Sequence, residues 1–254
     1  MRKIAFITGA TSGIGDAVAQ RLAAEYFDLI ITGRRGDRLT ALAERLTAEC
    51  GVDILPLCFD VRNPQQVEAY IGDLPERWQA VDVLVNNAGL AVGLKLVHEG
   101  LLEDWERMIN TNLKGLLYVT RLVASYMIAR QRGHIINIGS IAGREVYAGG
   151  NVYCATKYAV DALTKGLRME LLPYGIKVSQ VAPGAVETDF SLVRFKGDRR
   201  RADNVYKGFE PLRAVDIADV IAYMVSCPPH VNIADVLVLP AAQASASLFE
   251  RRDE

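Results

Sequence analysis

The sequence predicts an α/β protein in which helices cover both faces of a parallel sheet, a doubly wound architecture. Short apolar, β-branched runs alternate along the chain with longer segments of helical periodicity. The short runs are apolar on both faces, which is typical of strands buried in a parallel sheet, and helix-length crossovers separate them. Because no repeat, low-complexity tract or break in composition interrupts this pattern, we expect a single domain over residues 1–254.

The predicted elements follow one another regularly. We expect strands at residues 4–8, 29–32, 54–59, 81–85, 135–138, 177–181 and 236–239. We expect helices at residues 14–26, 37–50, 64–74, 104–130, 152–172 and 217–225. The longest irregular stretch, residues 185–212, follows the sixth strand. Long loops in compact domains are usually lids or binding loops, so we predict a substrate loop there.

Composition and charge exclude several classes of function. Lys plus Arg number 29 against 30 Asp plus Glu, a net charge of -1 that would draw the chain neither to nucleic acid nor to an anionic membrane. No apolar run approaches the roughly 18 residues that a membrane span needs. The four cysteines, at positions 50, 58, 154 and 227, show no disulfide or metal-binding pattern, so we expect buried reduced thiols and a cytoplasmic location. The three histidines lack ligand spacing, and we predict no metal site.

A glycine-rich turn links the first predicted strand to the first helix. Gly9, Gly13 and Gly15 have the spacing G-x-x-x-G-x-G, which differs from the G-x-G-x-x-G of many dinucleotide-binding turns. Backbone without side chains can approach a pyrophosphate closely, and the N-terminus of the next helix supplies free N–H groups. The turn therefore indicates a dinucleotide site, with a tight turn that binds nothing as the alternative.

Two arginines follow the second strand, where a protein that binds unphosphorylated dinucleotide usually has an acid. Arg34 and Arg35 offer charge and paired hydrogen bonds to a ribose 2'-phosphate, so we predict NADP as the cofactor. The alternative is two solvated arginines that pair with Asp37 or Glu44.

The third and fourth strands also end in polar or small residues. Asp60 and Val61 follow the third strand, and Asn86 and Asn87 end the fourth. Because the carboxyl ends of parallel strands share one edge, we expect cofactor contacts here, with Asp60 accepting from an adenine amino group. A helix N-cap at Asp60 and a turn at Asn86 and Asn87 are the alternatives.

The fifth strand leads to Ser140, and the following helix carries Tyr153 and Lys157. Residues at i and i+4 lie on one helical face, so the phenol and the ammonium can share a small site. We expect the ammonium to lower the pKa of the tyrosine, which suits an acid/base role. The alternative is a core tyrosine beside a surface lysine.

Together these residues resemble the short-chain dehydrogenase/reductase family. The resemblance rests on residues 8–15, residues 86–89, Asn112, Ser140, residues 153–157 and the Pro183-Gly184 pair. It implies a Rossmann-type sheet of seven strands in the order 3-2-1-4-5-6-7, and a homotetramer.

The resemblance also implies roles for single residues. Tyr153 would be the general acid/base, Lys157 would bind the nicotinamide ribose and lower the tyrosine pKa, Ser140 would hydrogen-bond the substrate oxygen, and Asn112 would hold a proton-relay water. The cofactor contacts that we expect from the motifs and the resemblance together are Gly9, Thr11, Ser12, Gly13, Ile14, Gly15, Arg34, Arg35, Asp60, Val61, Asn87, Tyr153, Lys157, Pro183, Gly184, Val186 and Thr188.

Within that family, four segments resemble the NADP-dependent 3-hydroxy acid dehydrogenases: residues 32–35, 110–112, 147–153 and 193–198. The implied function is hydride transfer between NADP and a small 3-hydroxy acid or β-hydroxy amino acid, such as serine, allo-threonine or 3-hydroxypropionate. Residues 142–145 and 185–190 depart from the pattern, and this leaves the choice of substrate open.

Two alternative functions remain: an NADPH-dependent reductase of neutral ketones or 3-oxoacyl thioesters, and a sensor that binds NADP without turnover. The joint presence of Ser140, Tyr153 and Lys157 argues against the sensor. A buried carboxylate needs a cation, and our first candidate is Arg194 in the long loop, with Arg144 as competitor.

Overall fold

The computed structural model describes residues 2–252, and their centre is a parallel sheet of seven strands in the order β3-β2-β1-β4-β5-β6-β9. These strands are β1 Ile4–Ile7, β2 Asp28–Gly33, β3 Ile54–Cys58, β4 Val81–Asn86, β5 Gly133–Ile138, β6 Ile176–Pro183 and β9 Asp235–Val238. Two short strands, β7 Val186–Glu187 and β8 Leu212–Arg213, pair with each other outside the sheet. The predicted doubly wound sheet is confirmed, and its last position is taken by the ninth strand of the chain because β7 and β8 lie apart.

Helices cover both faces of the sheet. They are α1 Gly13–Ala24, α2 Gly36–Cys50, α3 Pro64–Ile71, α4 Leu102–Ile109, α5 Leu116–Ala129, α6 Asn151–Leu171, α7 Asp189–Arg194, α8 Arg199–Asn204 and α9 Ala214–Ser226. Helices α1, α2 and α9 share one apolar layer, and α3, α5 and α6 contribute to the other. Along β1, Ala5 and Ile7 pack in the first layer and Ile4 and Phe6 in the second. Side chains that alternate between two buried faces explain why the strands are apolar throughout.

The helix predicted at residues 104–130 is divided in the structure. A π-helical turn, Asn110–Gly115, lies between α4 and α5. Inside this turn the buried Asn112 accepts from the Leu90 N–H at 2.8 Å and donates to the Leu90 carbonyl at 2.8 Å and to Thr156 Oγ1 at 3.0 Å. Turns of this kind often occur at functional sites. Sequence periodicity did not predict the turn because Asn112 finds these partners only through tertiary contacts.

Residues 185–212, predicted as irregular, contain β7, α7 and α8. Thr188 Oγ1 caps α7 by accepting from the Phe190 N–H at 3.3 Å, and Asp198 caps α8 by accepting from the Arg201 N–H at 3.1 Å. The segment is therefore structured rather than an open loop, and we call residues 185–212 the lid below.

All four cysteines are free thiols, but the expectation that all are buried is wrong. Cys154 is buried, Cys50 and Cys227 are half-buried, and Cys58 at the end of β3 is exposed because side chains alternate across that edge strand. Over residues 2–252, helices that combine the length and the apolar character needed to cross a membrane do not occur.

Candidate active site

The glycine turn lies at the carboxyl edge of the sheet, where Asn87 fastens it. Asn87 Nδ2 donates to the carbonyls of Thr8 at 2.9 Å and Gly9 at 3.2 Å, and Thr8 Oγ1 accepts from the Asn87 N–H at 3.0 Å. A Cβ on Gly15 would lie 2.4 Å from the Gly9 carbonyl oxygen. The turn therefore packs directly on the end of β4, and only glycine fits at position 15.

The first turn of α1 fits the phosphates of a dinucleotide. Within residues 2–252, the side chain of the N-cap Ser12 makes no capping hydrogen bond, so the first N–H groups of the helix keep their capacity to donate. Gly13 has a φ of 57° and faces Thr188, the N-cap of α7. The start of the lid therefore adjoins the glycine turn. Val186 is buried in the strand just before Thr188.

Arg35 turns toward the glycine turn. It donates through Nη2 to Thr11 Oγ1 at 2.8 Å and to Ser12 Oγ at 2.9 Å, rather than to the acids that the alternative interpretation required. Burial, followed by repulsion from Arg38 and Arg34, lowers the pKa of the Arg35 guanidinium. Three cations near one strand end fit a 2'-phosphate. The sequence analysis did not single out Arg38 because it lies in the first turn of α2, beyond the end of β2.

Asp60 lies at the expected edge, but its carboxylate is engaged by a neighbour. Arg62 Nη2 donates to Asp60 Oδ2 at 2.6 Å and its Nε donates to both carboxylate oxygens. Burial acts to raise the pKa of Asp60, but the hydrogen bonds from Arg62 outweigh it and lower that pKa. The adjacent Val61 packs against Gly115 in the π turn, where a Cβ would lie 2.8 Å from Val61 Cγ2.

The four predicted catalytic residues converge between β5, α6 and the π turn. Ser140 Oγ accepts from the Ala142 N–H at 3.1 Å and donates to the Pro183 carbonyl at 3.4 Å. Lys157 Nζ lies 5.9 Å from the centre of the Tyr153 ring and donates to the Ile138 carbonyl at 2.8 Å.

Asn112 and Lys157 meet at Gly89. A Cβ placed on Gly89 would lie 3.4 Å from Asn112 Oδ1 and 3.6 Å from Lys157 Nζ. The β4 end, the π turn and helix α6 therefore contribute to one small space. At the end of β6, Gly184 lies against Gln243, whose Oε1 would be 2.2 Å from an added Cβ.

Burial dominates the electrostatics of this cluster. It raises the pKa of Tyr153, and Tyr147 adds to the rise, whereas Ser140 and Arg194 act to lower it. Burial also lowers the pKa of Lys157 to about 8. The expectation that the ammonium brings the tyrosine pKa below its usual value is therefore wrong for the protein alone. The tyrosine pKa rises because the buried phenol loses its solvation, while Lys157 donates to the Ile138 carbonyl.

The structure distinguishes between the two candidate cations. Arg144 Nη2 donates to Asp235 at 2.5 Å, an ion pair with β9. In contrast, the Arg194 guanidinium carbon lies 5.7 Å from the centre of the Tyr153 ring. Its Nε is buried and has no hydrogen-bond partner among residues 2–252. Arg194, and not Arg144, therefore brings an available donor beside Tyr153.

Apolar side chains enclose the cluster. Leu90, Val92, Met108 and Cys154 pack with Tyr153, and the Phe190 ring stands edge-on to it at 5.7 Å and 60°. A narrow cavity between α4 and the start of α6 extends from Tyr153 along Trp105 and Met108. The sequence analysis did not identify Tyr147 or Phe190 as site residues. Tyr147 only begins a segment that carries the resemblance, and Phe190 ends a segment that departs from it.

Comparison with known proteins found a matching family model, similar relatives and similar solved structures. The family model for short chain dehydrogenases matches residues 3–198. An NADP-dependent 3-hydroxy acid dehydrogenase of Salmonella typhi is 45% identical over 250 residues, covering 98% of this chain and 99% of that protein. One of the same name in Schizosaccharomyces pombe is 43% identical over 251 residues, covering 98% and 97%. The closed form of a serine dehydrogenase solved with NADP+ has a TM-score of 0.91 at 42% identity, covering 98% of this chain and 100% of that one.

The chain therefore belongs to the short chain dehydrogenase family. The resemblance drawn from the motifs is confirmed, and with it the prediction of an oxidoreductase enzyme with a Rossmann-type fold. The relatives carry in their names the cofactor and the substrate class that the sequence predicts.

The pKa of Lys157 gives a pH-dependent stability. Its pKa of about 8 lies below the usual 10.5, so burying the ammonium destabilises the folded state below pH 8. This destabilisation disappears as the pH rises from about 8 to 10.5. Relative to Lys157→Met, we expect the wild-type free energy of unfolding to rise by roughly 2–3 kcal/mol between pH 7 and pH 10. Urea unfolding at both pH values measures it. The same comparison with the exposed Lys207→Met serves as control, and an equally pH-independent difference for both variants would contradict the burial of a charged Lys157.

Proposed function

We propose that the protein is an NADP-dependent dehydrogenase of small 3-hydroxy acids and β-hydroxy amino acids, such as serine, allo-threonine and 3-hydroxypropionate. The observation that carries this proposal is the buried, unpartnered Nε of Arg194 beside the ring of Tyr153, within the described residues. A guanidinium there fits a carboxylate on the molecule whose hydroxyl meets Tyr153. The names of relatives at 43% to 45% identity support it.

In this proposal Tyr153 donates a proton to the substrate oxygen or accepts one from it. Because burial raises its pKa, the hydroxyl stays protonated in the protein alone, the form that donates to a carbonyl oxygen in the direction of reduction. In oxidation the phenol would first give its proton to the relay water, and the resulting phenolate oxygen would then take the hydroxyl proton of the substrate. Ser140 Oγ would hydrogen-bond the substrate oxygen, and Asn112 would hold a water that relays the proton.

The fit of the site to NADP supports the cofactor assignment. The N–H groups at the start of α1 would hold the pyrophosphate, Arg34 and Arg35 the 2'-phosphate, and Lys157 the ribose next to the nicotinamide. When bound, the nicotinamide exchanges a hydride with the carbinol carbon of the substrate. The remaining predicted contacts, Asp60, Val61, Asn87, Pro183, Gly184, Val186 and Thr188, line the same edge and are proposed to enclose the dinucleotide.

Residues 1–254 would act as one catalytic unit in which the lid, about residues 185–212, covers the substrate. Two contacts support this role: the Gly93 N–H donates to the Arg194 carbonyl at 2.9 Å, and Lys196 pairs with Asp104 at 2.9 Å. These contacts join the lid to the segment after β4 and to α4. The lid thereby brings Arg194 to the site and separates the reaction from water.

We further propose a cytoplasmic homotetramer without nucleic-acid or membrane partners. The exposed apolar side chains of Leu117, Met169 and Tyr223 on the outer helices, and of Leu172 just after α6, favour association with further copies. The free thiols suit a reducing compartment, and the net charge of -1 favours a small-molecule partner over a polyanion.

Tyr153→Phe tests catalysis. We expect NADPH binding, followed by cofactor fluorescence, to be nearly unchanged while turnover falls by about two to four orders of magnitude, the usual contribution of general acid/base catalysis. Tyr158→Phe, in the same helix but exposed, is the matched control and keeps its turnover. A Tyr153→Phe enzyme with most of the wild-type turnover would remove the phenol from proton transfer. Wild-type protein that binds NADPH but oxidises no substrate would favour the sensor.

Replacing Arg34 and Arg35 together by serine tests the cofactor assignment. Two charge-assisted contacts of about 1.5–3 kcal/mol each are lost, so the NADP Kd should rise at least roughly a hundredfold while that of NAD changes little. Calorimetric titration with both dinucleotides measures this. Because Arg35 also bonds Thr11 and Ser12, the Tm of the variant is the control for folding. An unchanged ratio of the two Kd values would place the phosphate elsewhere.

The carboxylate clamp is tested by Arg194→Ala beside Arg144→Ala. A panel of serine, allo-threonine, 3-hydroxyisobutyrate, 3-hydroxypropionate and simple secondary alcohols is assayed with NADP. We expect Arg194→Ala to raise KM for the acids by roughly 10- to 100-fold, the size of a lost charged hydrogen bond, and to change neutral alcohols little.

Arg144→Ala should leave the preference for acids intact. Equal losses on acids and alcohols in Arg194→Ala would assign that residue to folding of the lid. Turnover of neutral alcohols but of no hydroxy acid by the wild type would favour the neutral-ketone reductase.

A further inference from the structure

Tyr147 lies beside Arg194 and contacts its guanidinium. Arg194 Nη2 donates to the Tyr147 hydroxyl at 2.7 Å, and its guanidinium carbon lies 5.2 Å from the centre of the Tyr147 ring. The same carbon lies 5.7 Å from the Tyr153 ring. The guanidinium is therefore held between two tyrosines, of which only Tyr153 belongs to the catalytic motif.

The Tyr147 ring is itself held in place. A Cβ on Gly150, the N-cap of α6, would lie 2.0 Å from Tyr147 Cε2, so the ring packs directly on the backbone that leads into the helix of Tyr153. The preceding Gly149 has a φ of 75°, which lets the chain turn there. The hydroxyl of Tyr147 therefore has a fixed position relative to Tyr153.

The chemistry of a clamp requires such a support. An arginine side chain loses rotamer freedom when it binds a carboxylate. This loss is smaller when a neighbouring residue already fixes the orientation of its guanidinium. A hydroxyl is suited to this because its oxygen accepts one N–H and carries no charge that would compete for the guanidinium. Burial raises the pKa of Tyr147, which keeps the hydroxyl neutral. Arg194 Nε remains without a hydrogen-bond partner among residues 2–252.

We propose that Tyr147 is a positioning residue that orients the Arg194 guanidinium for the substrate carboxylate, and so determines the preference for hydroxy acids over neutral alcohols. This inference rests on the proposed function, in which Arg194 binds that carboxylate. It adds a residue outside the catalytic motif that acts through Arg194 and never on the reacting carbon.

The test compares 3-hydroxypropionate with its neutral methyl ester in the wild type, Tyr147→Phe, Arg194→Ala and the double variant. The readout is the ratio of kcat/KM for the acid to kcat/KM for the ester. We expect Tyr147→Phe to lower this ratio by roughly tenfold, mainly through KM for the acid, because one hydrogen bond to a charged group is lost. In the Arg194→Ala background, Tyr147→Phe should change the ratio no further.

Tyr158→Phe is the matched control. The Tyr158 hydroxyl donates to the Arg144 carbonyl, in the segment after β5. Removing this hydroxyl perturbs that segment without contacting Arg194. We expect its ratio to equal that of the wild type. Thermal unfolding of each variant shows that the compared enzymes are folded, and Tyr147→His, which restores a polar ring, provides a second substitution if the phenylalanine variant does not fold.

The two proposals fail in different ways. A ratio that falls in Arg194→Ala but not in Tyr147→Phe would overturn the role of Tyr147 and leave the clamp intact. A ratio that stays high in Arg194→Ala would overturn the clamp, and the role of Tyr147 with it. Equal losses on acid and ester in Tyr147→Phe, or a further fall of the ratio in the double variant, would show that Tyr147 acts on folding or on the substrate directly.

Discussion

The site depends on the amide of Asn87, which ties the ends of β1 and β4 together. Its two N–H groups donate to the carbonyls of Thr8 and Gly9, which follow directly after β1. The glycine turn is thereby held on the sheet edge, and Gly15 is close enough to exclude any larger residue. The first turn of α1, which would hold the phosphates in the proposed function, takes its position from this contact.

The neighbouring Asn86 shows how one strand end serves two purposes. Its Nδ2 donates to Thr120 Oγ1 at 2.8 Å and to Asn137 Oδ1 at 2.9 Å, and Asn137 in turn donates to Thr164 Oγ1 at 2.9 Å. Adjacent residues of a strand point to opposite faces. One asparagine therefore anchors the glycine turn, and the next links β4 and β5 to helices α5 and α6. Helix α6 carries Tyr153 and Lys157.

Tyr153 and Lys157 lie where solvation is weak, and this determines their protonation. Desolvation favours the neutral forms of both Tyr153 and Lys157, so the protein alone holds a protonated phenol beside a readily deprotonated amine. Arg194 opposes the rise in the tyrosine pKa. In the proposed function the cation that holds the substrate thus also tunes the proton donor, and lid position and acid strength are coupled.

The lid links these parts mechanically. Its backbone joins the segment after β4 through Gly93, and its side chains reach α4 through Lys196 and Asp104. At its other end Arg251 lies 5.1 Å from the Phe209 ring and donates to the Val205 carbonyl at 3.0 Å, so the end of the described chain supports it. Both sides of the lid are therefore anchored to structured parts of the domain.

By itself the sequence determined the alternation of strands and helices, the parallel sheet, the glycine turn and the position of Tyr153 and Lys157 on one helix face. These follow from periodicity and from spacings within one turn or one helix face, which are local properties. The choice between Arg194 and Arg144, the contributions of Tyr147 and Phe190, the pairing of Asp60 with Arg62 and the π turn at Asn112 were decided only by tertiary structure. Each depends on partners from another element of the chain, or on side-chain conformation that no periodicity encodes. The pKa of Tyr153 belongs with them, because burial, which sequence spacing does not measure, outweighs the neighbouring charge.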